Sequence, residues 1–568
     1  MSTPAAVADA DRADWVRCAG CGSLVYGKRL SRGLEVCPEC GSHHRLTAPE
    51  RIAQLLDPDT FVPLPGTVRS EDRYGFTDTV RYADRLEKAR RATGLPEAVV
   101  CGTGRLGGHR LALAVMDFRF MGGSLGTAVG ELVTRAAEAA LAERLPLLLV
   151  TASGGARMQE SVLSLMQMAK TSTALSRLNE AGLLTVSLIT DPTYGGVAAS
   201  FATCTDVIIA ESGARLGFAG PRVVAQTIRE ELPAGFQSAE FLFAHGMIDR
   251  CEDRQSLRGC LSQLLFAASS VRADTPSPAV LDPVLIRDPA ALPAGDAWQR
   301  VKLARDTGRP TTLDYLARSF ESFLELHGDR THADSAALVA GIATLEGRAV
   351  MVIGHQKGHT TRELIDRDFG MPGPEGYRKA VRLMRLAAKL RLPVITLVDT
   401  PGAHPGVAAE ENGQALAVAA SILELAGLRT PVVAVITGEG GSGGALALAV
   451  ADRVLMLENS TYSVISPEGC SAILWGTAAA APAAAEALKV TAPDLLGLGI
   501  VDGVVPEPAG GAHNSAAEAA DFLGRALAEA LGELLGTDPA ELVESRRNRF
   551  RAYGSSEPTT RHTVLEVR

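Results

Sequence analysis

The fold is decided by the stretch RLPLLLVTASGGA at residues 144–156, because a close copy, RLPVITLVDTPGA, occupies residues 391–403. The same offset of 247 residues aligns Val186–Thr190 with Val433–Thr437. Each block is a short apolar run of the kind that forms a strand covered on both faces. Blocks that match in one register identify an internal duplication. The chain is therefore predicted to contain two copies of one α/β domain.

Each copy carries two glycine turns directly after these strands: Ser153–Gly155 and Asp191–Gly196 in the first, Thr400–Gly402 and Gly438–Gly444 in the second. Glycine lets backbone amides face outward, and a following helix adds a positive field, so such turns bind a phosphate or a developing oxyanion. The alternative is that the glycines only allow close packing of helix on strand. The spacing matches neither the phosphate loop of nucleotide hydrolases nor the dinucleotide-binding fingerprint.

Composition narrows the class of protein further. The 568 residues include 56 basic and 65 acidic side chains, a net charge of −9, so the surface as a whole is not built for nucleic acid or anionic lipid. Apolar residues make up 46% and charged residues 21%, as in globular proteins. The N-terminus lacks the apolar run of a secretory signal, and no uninterrupted apolar segment reaches membrane-spanning length. A cytoplasmic location is predicted.

Four cysteines have the spacing of a metal site: Cys18, Cys21, Cys37 and Cys40 form two C-x2-C pairs. Four thiolates complete a tetrahedral zinc shell with no open position, which predicts a structural zinc ribbon rather than a catalytic centre. The alternative is a pair of redox dithiols. Two histidines that follow, His43 and His44, are interpreted as bystanders, and the remaining cysteines as core residues: Cys101, Cys204, Cys251, Cys260 and Cys470.

Shifts in composition predict the domain boundaries. Prolines without periodicity mark a linker, and Ala, Glu and Arg dominate the C-terminal segment. The predicted order is a disordered N-terminus (1–14), a zinc ribbon (15–45), a first domain (46–271), a Pro-rich linker (272–297), a second domain (298–511) and a helical tail (512–568).

No side chain stands out as an acid or base. His327, His355, His404 and His513 are candidates, but none lies in a recognisable pairing with a carboxylate or a nucleophile. Neither a G-x-S-x-G elbow nor an H-E-x-x-H motif is present. The glycine turns are therefore predicted to be the working parts of the protein.

Several strings resemble a known family. In the first half these are FRFMGGSLG (118–126), SGGARMQE (153–160) and GFAGPR (217–222), which together with the four-Cys ribbon resemble the β subunit of bacterial acetyl-CoA carboxylase carboxyltransferase. In the second half LHGDR (326–330), GHQKG (354–358), DTPGA (399–403), GEGGSGG (438–444) and YSVISPEG (462–469) resemble its α subunit. The chain is similar to a fusion of the two subunits, with the β-like half first.

This resemblance implies two crotonase-type α/β domains in tandem, with acyl-CoA held by the β-like half and carboxybiotin by the α-like half. The implied reaction moves a carboxyl group from biotin on a carrier protein to acetyl-CoA, giving malonyl-CoA. Carboxybiotin releases CO2, the biotin enolate deprotonates the acetyl methyl group, and the thioester enolate captures the CO2. The protein contributes positioning and electrostatics.

The resemblance also implies the site residues. The thioester oxyanion turn is matched by Gly154 and Gly155, and the biotin-side turn by Gly443 and Gly444, with the exact pair open. Segments that line the CoA side are matched by Met121, Gly122, Gly123, Ser124, Phe218, Gly220 and Arg222. The biotin side is matched by Gly402, Ala403 and His404, where His404 replaces an expected aromatic residue.

The chain lacks a Met-Lys-Met biotinylation site and has no region for an ATP-grasp domain, so a biotin carboxyl carrier protein and a biotin carboxylase are expected as partners. A homodimer or larger assembly is also expected. Three alternatives stay open at this point: a carboxyltransferase for propionyl-CoA or another acyl-CoA, a crotonase-like hydratase or isomerase, and a zinc-ribbon regulator that binds nucleic acid.

Overall fold

The computed structural model describes residues 15–221, 224, 227, 232–270 and 283–554. The chain divides into two compact units, Met1–Ser269 and Ser270–Arg568. The predicted disordered N-terminus (1–14), the first part of the predicted linker and the end of the predicted tail lie outside the described residues.

The first unit begins with a two-stranded antiparallel hairpin and continues into an eight-stranded mixed sheet. The sheet has the order β10-β8-β7-β6-β5-β4-β3, with β9 paired to β7. The strands are β1 (Trp15–Arg17), β2 (Leu24–Tyr26), β3 (Val62–Pro63), β4 (Val99–Leu106), β5 (His109–Met116), β6 (Leu147–Ser153), β7 (Thr185–Tyr194), β8 (Val207–Glu211), β9 (Leu216–Gly217) and β10 (Arg250–Glu252).

The second unit contains its own eight-stranded sheet, with the order β11-β12-β13-β14-β15-β16-β18 and β17 paired to β15. Its strands are β11 (Ser322–Glu325), β12 (Leu338–Leu345), β13 (Arg348–His355), β14 (Val394–Thr400), β15 (Val432–Gly441), β16 (Arg453–Leu457), β17 (Thr461–Ser463) and β18 (Gly503–Val505).

Helices connect the parallel strands of both sheets, as a crossover requires. Those of the first unit are α1 (Gly27–Arg32), α2 (Ala48–Leu55), α3 (Tyr82–Thr93), α4 (Thr127–Glu143), α5 (Ser161–Glu180), α6 (Gly195–Ala198), α7 (Ala239–Ala244) and α8 (Leu257–Ser270). Those that follow are α9 (Ala297–Ala304), α10 (Thr312–Ser319), α11 (Thr361–Asp366), α12 (Pro374–Leu390), α13 (Val407–Glu411), α14 (Gln414–Gly427), α15 (Ser442–Leu446), α16 (Pro467–Leu474), α17 (Ala481–Ala487), α18 (Ala492–Gly497), α19 (Ala516–Leu534) and α20 (Pro539–Ala552).

The duplication seen in the sequence is present in the elements. At the offset of 247 residues, α4 corresponds to α12, β6 to β14 and β7 to β15, each with the same bounds in both copies. The two strands before them correspond at a smaller offset, because β5 ends at Met116 and β13 at His355. The second copy accommodates the extra residues in the loop that contains α11.

Aliphatic side chains fill both units. The strands β6 and β14 are buried along almost their whole length, as expected for strands covered on both faces. The helix α19 packs its apolar stripe into the core of the second unit, where Leu523, Leu527 and Leu531 contact the sheet residues. No helix in the described part of the chain has the length and hydropathy needed to cross a membrane.

Candidate functional site

The first glycine turn of unit one is held by its own backbone. The Gly154 amide donates to Gly122 O at 2.8 Å, and the Gly155 amide donates to the Ser153 hydroxyl at 3.0 Å. Both amides predicted for oxyanion binding are therefore used to build the turn. Gly155 has φ of +122°, a conformation that glycine adopts without steric cost.

Two backbone amides next to this turn are not used to build it. Within the described residues, the amides of Ala156 and Gly196 donate no hydrogen bond, whereas the Gly195 amide donates to Phe218 O at 3.1 Å. The two turns approach closely, since a Cβ on Gly195 would lie 3.1 Å from Gly155 Cα and 3.9 Å from Ala156 N. Outward amides of this kind are suited to stabilise a developing oxyanion.

The second unit repeats this arrangement at the same offset. The Gly402 amide donates to the Thr400 hydroxyl at 3.1 Å, as Gly155 does to Ser153. Among the described hydrogen bonds, none is donated by the amides of Ala403, Ser442, Gly443 or Gly444. Of these, Ala403 and Gly443 correspond to Ala156 and Gly196. The turns are again in close contact, because a Cβ on Gly444 would lie 2.3 Å from Ala403 N.

A buried arginine braces the turn in unit one. Arg157 pairs with both oxygens of Glu97, at 2.7 and 3.2 Å, and its Nε donates to the Ser124 hydroxyl at 3.0 Å. Its backbone amide, next to Ala156, donates to Leu125 O at 2.9 Å. The segment predicted to line the CoA side, Met121–Ser124, thus supports the first glycine turn.

A carboxylate beside Arg157, Glu160, is already engaged in hydrogen bonds. Glu160 accepts hydrogen bonds from the Tyr82 hydroxyl at 2.5 Å and the Thr127 amide at 2.6 Å, and Arg157 Nη1 lies 3.3 Å away. Burial alone would raise the pKa of Glu160, but these donors and the Arg157 charge hold it below its usual range. A carboxylate committed in this way is a structural brace and not a free base.

Unit two carries a different ion-paired cluster at its turn. Lys357 Nζ lies 2.7 Å from Asp399 Oδ1 and 3.2 Å from Glu439 Oε2, and the Glu439 amide donates to Asp399 at 2.9 Å. Arg305 extends the cluster by donating to Glu439 at 2.6 Å. Burial lowers the pKa of Lys357, but the two carboxylates outweigh it and raise the pKa above its ordinary value. Two carboxylates, Asp399 and Glu439, therefore lie at this glycine turn, and both are ion-paired with Lys357.

The remaining predicted residues are placed as follows. Phe218 is largely exposed, and its carbonyl holds the Gly195 amide. Gly220 lies against the ring of Tyr194, and Arg222 lies outside the described residues. His404 occupies the position that corresponds to Arg157, and its Nδ1 accepts a hydrogen bond from the Gly406 amide at 3.0 Å.

The prediction that none of the four candidate histidines pairs with a carboxylate is wrong for His327. His327 Nδ1 lies 2.8 Å from Asp334 Oδ2, a pairing that the sequence does not reveal because the two residues meet only through the loop between β11 and β12. Lys379 also contacts Asp334, at 2.5 Å, so the carboxylate bridges two side chains. His355 is fully buried, and burial together with the nearby Lys357 charge lowers its pKa to about 3.

The four ribbon cysteines come together as predicted. Their sulfur atoms all lie within 4.8 Å of one another, with Cys18 and Cys40 at 3.7 Å and Cys21 and Cys37 at 3.9 Å. This donor set fits a closed zinc site, and these separations are too long for disulfides. Of the cysteines predicted to be core residues, Cys204 is exposed, which corrects that prediction, and Cys251 is only partly buried.

Sequence reasoning found the turns but not the pair of free amides. The signal that identifies Ala156 and Gly196 is the hydrogen-bond accounting of the folded backbone, in which the amides of Gly154, Gly155 and Gly195 each donate to another group. Repeat symmetry offered a partial signal, because Gly196 aligns with the predicted Gly443.

Comparison with known proteins agrees with this site. Residues 293–554 match the family model "Acetyl co-enzyme A carboxylase carboxyltransferase-like", and residues 15–40 match the "Acetyl-CoA carboxylase zinc finger domain". The "Acetyl-coenzyme A carboxylase carboxyl transferase subunits beta/alpha" of Salinispora arenicola is 61% identical over 547 residues, which is 95% of this chain and 96% of that protein. The corresponding protein of Clostridium tetani is 43% identical over 95% of this chain and 93% of its own length.

Solved structures support the fold. A crystal structure of the transcarboxylase 12S hexamer, with methylmalonyl-coenzyme A bound, matches with a TM-score of 0.68 at 22% identity and covers 94% of both chains. This likeness confirms the predicted architecture of two crotonase-type domains in tandem. The ribbon model and the clustered cysteines confirm the predicted zinc ribbon. The chain belongs to the acetyl-CoA carboxylase carboxyltransferase family, in the form that joins the β and α subunits in one polypeptide.

Proposed function

We propose that this chain transfers a carboxyl group from carboxybiotin, carried by a partner protein, to acetyl-CoA and so forms malonyl-CoA. The observation that carries this proposal is the pair of matched amide sites, Ala156 with Gly196 and Ala403 with Gly443. A carboxyl transfer between two enolate-like partners needs one oxyanion site for each partner. The names of the relatives, which specify acetyl-CoA carboxylase, support the choice of acyl group.

The first site is assigned to the thioester oxygen of the acyl-CoA. The amides of Ala156 and Gly196 stabilise the negative charge that develops on this oxygen when the acetyl methyl group loses its proton. Because Arg157 and Ser153 fix the turn before substrate arrives, little reorganisation is needed during the reaction. The segments around Met121–Ser124 and Phe218–Arg222 stay proposed for the CoA side.

The second site is assigned to biotin. Carboxybiotin supplies the carboxyl group and, once that group has left, a basic ureido oxygen. The amides of Ala403 and Gly443 are aimed at that oxygen in the proposal, with Gly402 and His404 beside them. Gly444 supports this site by allowing the helix to approach the Ala403 amide.

Hydratase or isomerase activity is less well supported by the same turns than carboxyl transfer is. Such enzymes rely on positioned carboxylates, and the carboxylates near the turns are ion-paired: Glu160 with Arg157, and Asp399 and Glu439 with Lys357. The proposed carboxyl transfer needs no carboxylate base from this chain, since proton removal is left to biotin.

The proposal includes partners and location. A biotin carboxyl carrier protein and a biotin carboxylase supply carboxybiotin, and zinc supplies structural stability to the ribbon through its closed thiolate shell. We propose at least a homodimer of the fused chain, and sedimentation equilibrium that reads only monomer at assay concentration would contradict it. The cytoplasmic location, the predicted domain boundaries and a secondary contact with nucleic acid stay predictions, as does activity on other acyl-CoA substrates.

The decisive experiment measures biocytin-dependent decarboxylation of malonyl-CoA by the purified chain and a matched pair of variants. Gly443→Pro removes the proposed donor, and we expect kcat to fall roughly 100- to 1,000-fold, as when one oxyanion donor is lost. Gly443→Ala keeps the amide, and its methyl group would be 3.8 Å from Val418 Cγ1, an ordinary contact. This variant is expected to retain most of the activity.

Far-UV circular dichroism and thermal unfolding verify that both variants are folded. A folded Gly443→Pro variant with the wild-type kcat would refute the assignment of the biotin-side donor. Absence of malonyl-CoA turnover in the wild type, with turnover of methylmalonyl-CoA instead, would keep the mechanism and change the acyl group.

A further inference from the structure

The turn Thr400–Gly402 of unit two lacks two backbone hydrogen bonds that hold its counterpart in unit one. In unit one the amides of Gly154 and Leu125 each donate a backbone hydrogen bond of 2.8 Å. At the offset of 247 residues, the residues that correspond to these two donors are Pro401 and Pro372. Proline has no amide hydrogen, so neither bond can form in unit two.

The backbone bond made by the residue after the outward amide is kept in both copies. In unit one the Arg157 amide donates to Leu125 O at 2.9 Å, and in unit two the His404 amide donates to Pro372 O at 3.1 Å. His404 directly follows Ala403, whose amide is assigned to the biotin oxygen. Pro372 O is therefore an acceptor through which the segment before α12 holds Ala403 in place.

A buried glutamine side chain binds the same carbonyl. Gln414, the first residue of α14, is only 5% exposed, and its Nε2 donates to Pro372 O at 2.9 Å. The amide nitrogen must face this oxygen, because two acceptor oxygens cannot share a hydrogen bond. Within the described residues, Oε1 of Gln414 is buried and has no partner. The side chain therefore directs its one hydrogen bond among these residues to the carbonyl that holds the turn.

The corresponding glutamine of unit one makes a different bond. Gln167 is also buried, but its Nε2 donates to Leu163 O of its own helix at 2.9 Å. A Cβ on Gly130 would lie 2.3 Å from Gln167 Oε1, so this placement of the side chain requires a glycine there. In unit two the position of Gly130 is occupied by Tyr377, which excludes the same placement. Gln414 is thereby directed to the turn instead of along its own helix.

Tyr377 also contacts the site itself. Its side chain is fully buried in a small apolar cluster against which Ala403 packs. Its hydroxyl lies 3.4 Å from Gly444 O, on the second turn of the same unit. Tyr377 thus has two effects in the fold, because it packs against the turn and also sets the direction of Gln414.

His404 does not replace the brace that Arg157 supplies in unit one. The Arg157 side chain is bonded to a buried carboxylate and a serine hydroxyl, whereas the His404 ring accepts from the Gly406 amide, two residues further along. The ion-paired cluster of unit two lies at Asp399, before the turn. After the turn, where unit one has its buried arginine, unit two has the hydrogen bond from Gln414.

We propose that Gln414 is a positioning residue for the biotin half of the reaction: it holds Pro372 O and, through the His404 amide, fixes the direction of the Ala403 amide. The inference rests on the proposed function, because it takes the Ala403 amide to face the ureido oxygen of biotin. Gln414 does not itself bind biotin. It keeps in place a donor that is effective only when its position is fixed before the reaction.

The test measures biocytin-dependent decarboxylation of malonyl-CoA by Gln414→Met. Methionine has a similar length and no donor, and it also removes the buried Oε1 atom, so the fold should be little affected. We expect kcat to fall about tenfold, the effect of losing one hydrogen bond that acts in the transition state. The KM values for biocytin and malonyl-CoA should stay within about twofold of wild type. Gln414→Glu keeps the shape but presents an acceptor to Pro372 O, so its kcat should fall at least as far.

The duplication supplies the matched control, Gln167→Met. Gln167 is the same residue type at the corresponding position and is buried to a similar extent, but its donor serves its own helix. Its kcat should stay within about twofold of wild type. Hydrogen–deuterium exchange read by mass spectrometry gives a second measurement that needs no substrate. Residues 400–406 should exchange faster in both Gln414 variants and at the wild-type rate in Gln167→Met.

A wild-type kcat in either folded Gln414 variant would overturn the proposal, and so would unchanged exchange of residues 400–406. Equal losses of kcat in Gln414→Met and Gln167→Met would also overturn it, because they would show a general effect of replacing a buried glutamine. Failure of the wild type to decarboxylate malonyl-CoA or methylmalonyl-CoA would refute the proposed function itself. The exchange measurement would still show which of the two glutamines holds the turn.

Discussion

At the scale of single residues, the backbone divides its amides between two tasks. Gly154 and Gly155 close the turn, whereas Ala156 and Gly196 keep their donors free. The division depends on acceptors elsewhere, such as Gly122 O and the Ser153 hydroxyl. A free amide is useful in catalysis only if its position is fixed, which explains why a buried ion pair lies directly behind Ala156.

We predict that Arg157→Lys lowers kcat for malonyl-CoA decarboxylation by at least tenfold while KM changes less than about threefold. Lysine keeps the charge but cannot pair with both Glu97 oxygens and bond Ser124 at once. The turn then loses its brace, and the Ala156 amide is less well placed for the transition state. Steady-state kinetics with the purified variant measure the two constants separately.

The control for this prediction is a second buried arginine. Arg546 pairs with both oxygens of Asp452 and bonds the carbonyls of Leu425 and Thr430, far along the chain from either turn. Arg546→Lys should lower thermal stability to a similar extent, because disrupting a buried ion pair costs about 3–5 kcal/mol. Its kcat should stay near that of wild type. If both variants lose kcat equally, Arg157 has no special positioning role.

At the scale of elements, the duplication was predictable because β6, β7 and the turns after them repeat without a gap. The buried strands also contain short apolar runs, which predict strands from the single sequence. By contrast, β4 and β5 were not matched to β12 and β13, since the loop with α11 shifts their offset. Insertions in loops change the register without changing the fold.

The residues that brace each site could not be predicted from the sequence. Glu97 and Arg157 meet across 60 residues, and Lys357 and Glu439 across 82. Ion pairs at such separations leave no local pattern, and the two copies use different residues for the same purpose. Likewise, the pairing of His327 with Asp334 depends on the path of a loop.

The end of β13 gives a pH-dependent prediction. The pKa of His355 falls from 6.5 in the unfolded chain to about 3 in the fold, first because of burial and then because of the Lys357 charge. Between these values only the unfolded state binds the proton, so stability falls as the pH falls from 6.5 towards 3. The expected slope is about 1.4 kcal/mol per pH unit from this group alone.

Thermal unfolding at pH 7, 6 and 5 checks this prediction, with His355→Gln as the comparison. The variant should lose stability less steeply with acid than wild type, whatever its absolute melting temperature. Parallel slopes for wild type and His355→Gln would show that His355 does not carry the effect.

At the scale of the whole molecule, one fold has been adapted twice. Both units keep the two outward amides, but unit one has an open cavity beside them and unit two has an ion-paired cluster. Each unit therefore surrounds the same pair of glycine turns with different side chains.

The last prediction concerns the zinc ribbon and tests whether its metal has a purely structural role. We predict that Cys37→Ser abolishes zinc binding, because a three-thiolate shell is incomplete, and makes the ribbon sensitive to protease. The kcat should change little, since a closed metal site takes no part in the chemistry. Zinc content by mass spectrometry, limited proteolysis of the ribbon and steady-state kinetics provide three separate readings.

Cys204→Ser is the matched control, because Cys204 is an exposed cysteine outside the ribbon. It should retain the full zinc content and both kinetic constants. Loss of kcat in a folded Cys37→Ser variant would contradict a purely structural role for the metal. Since Arg45 is only five residues from Cys40, a disordered ribbon should remove it from Asp191.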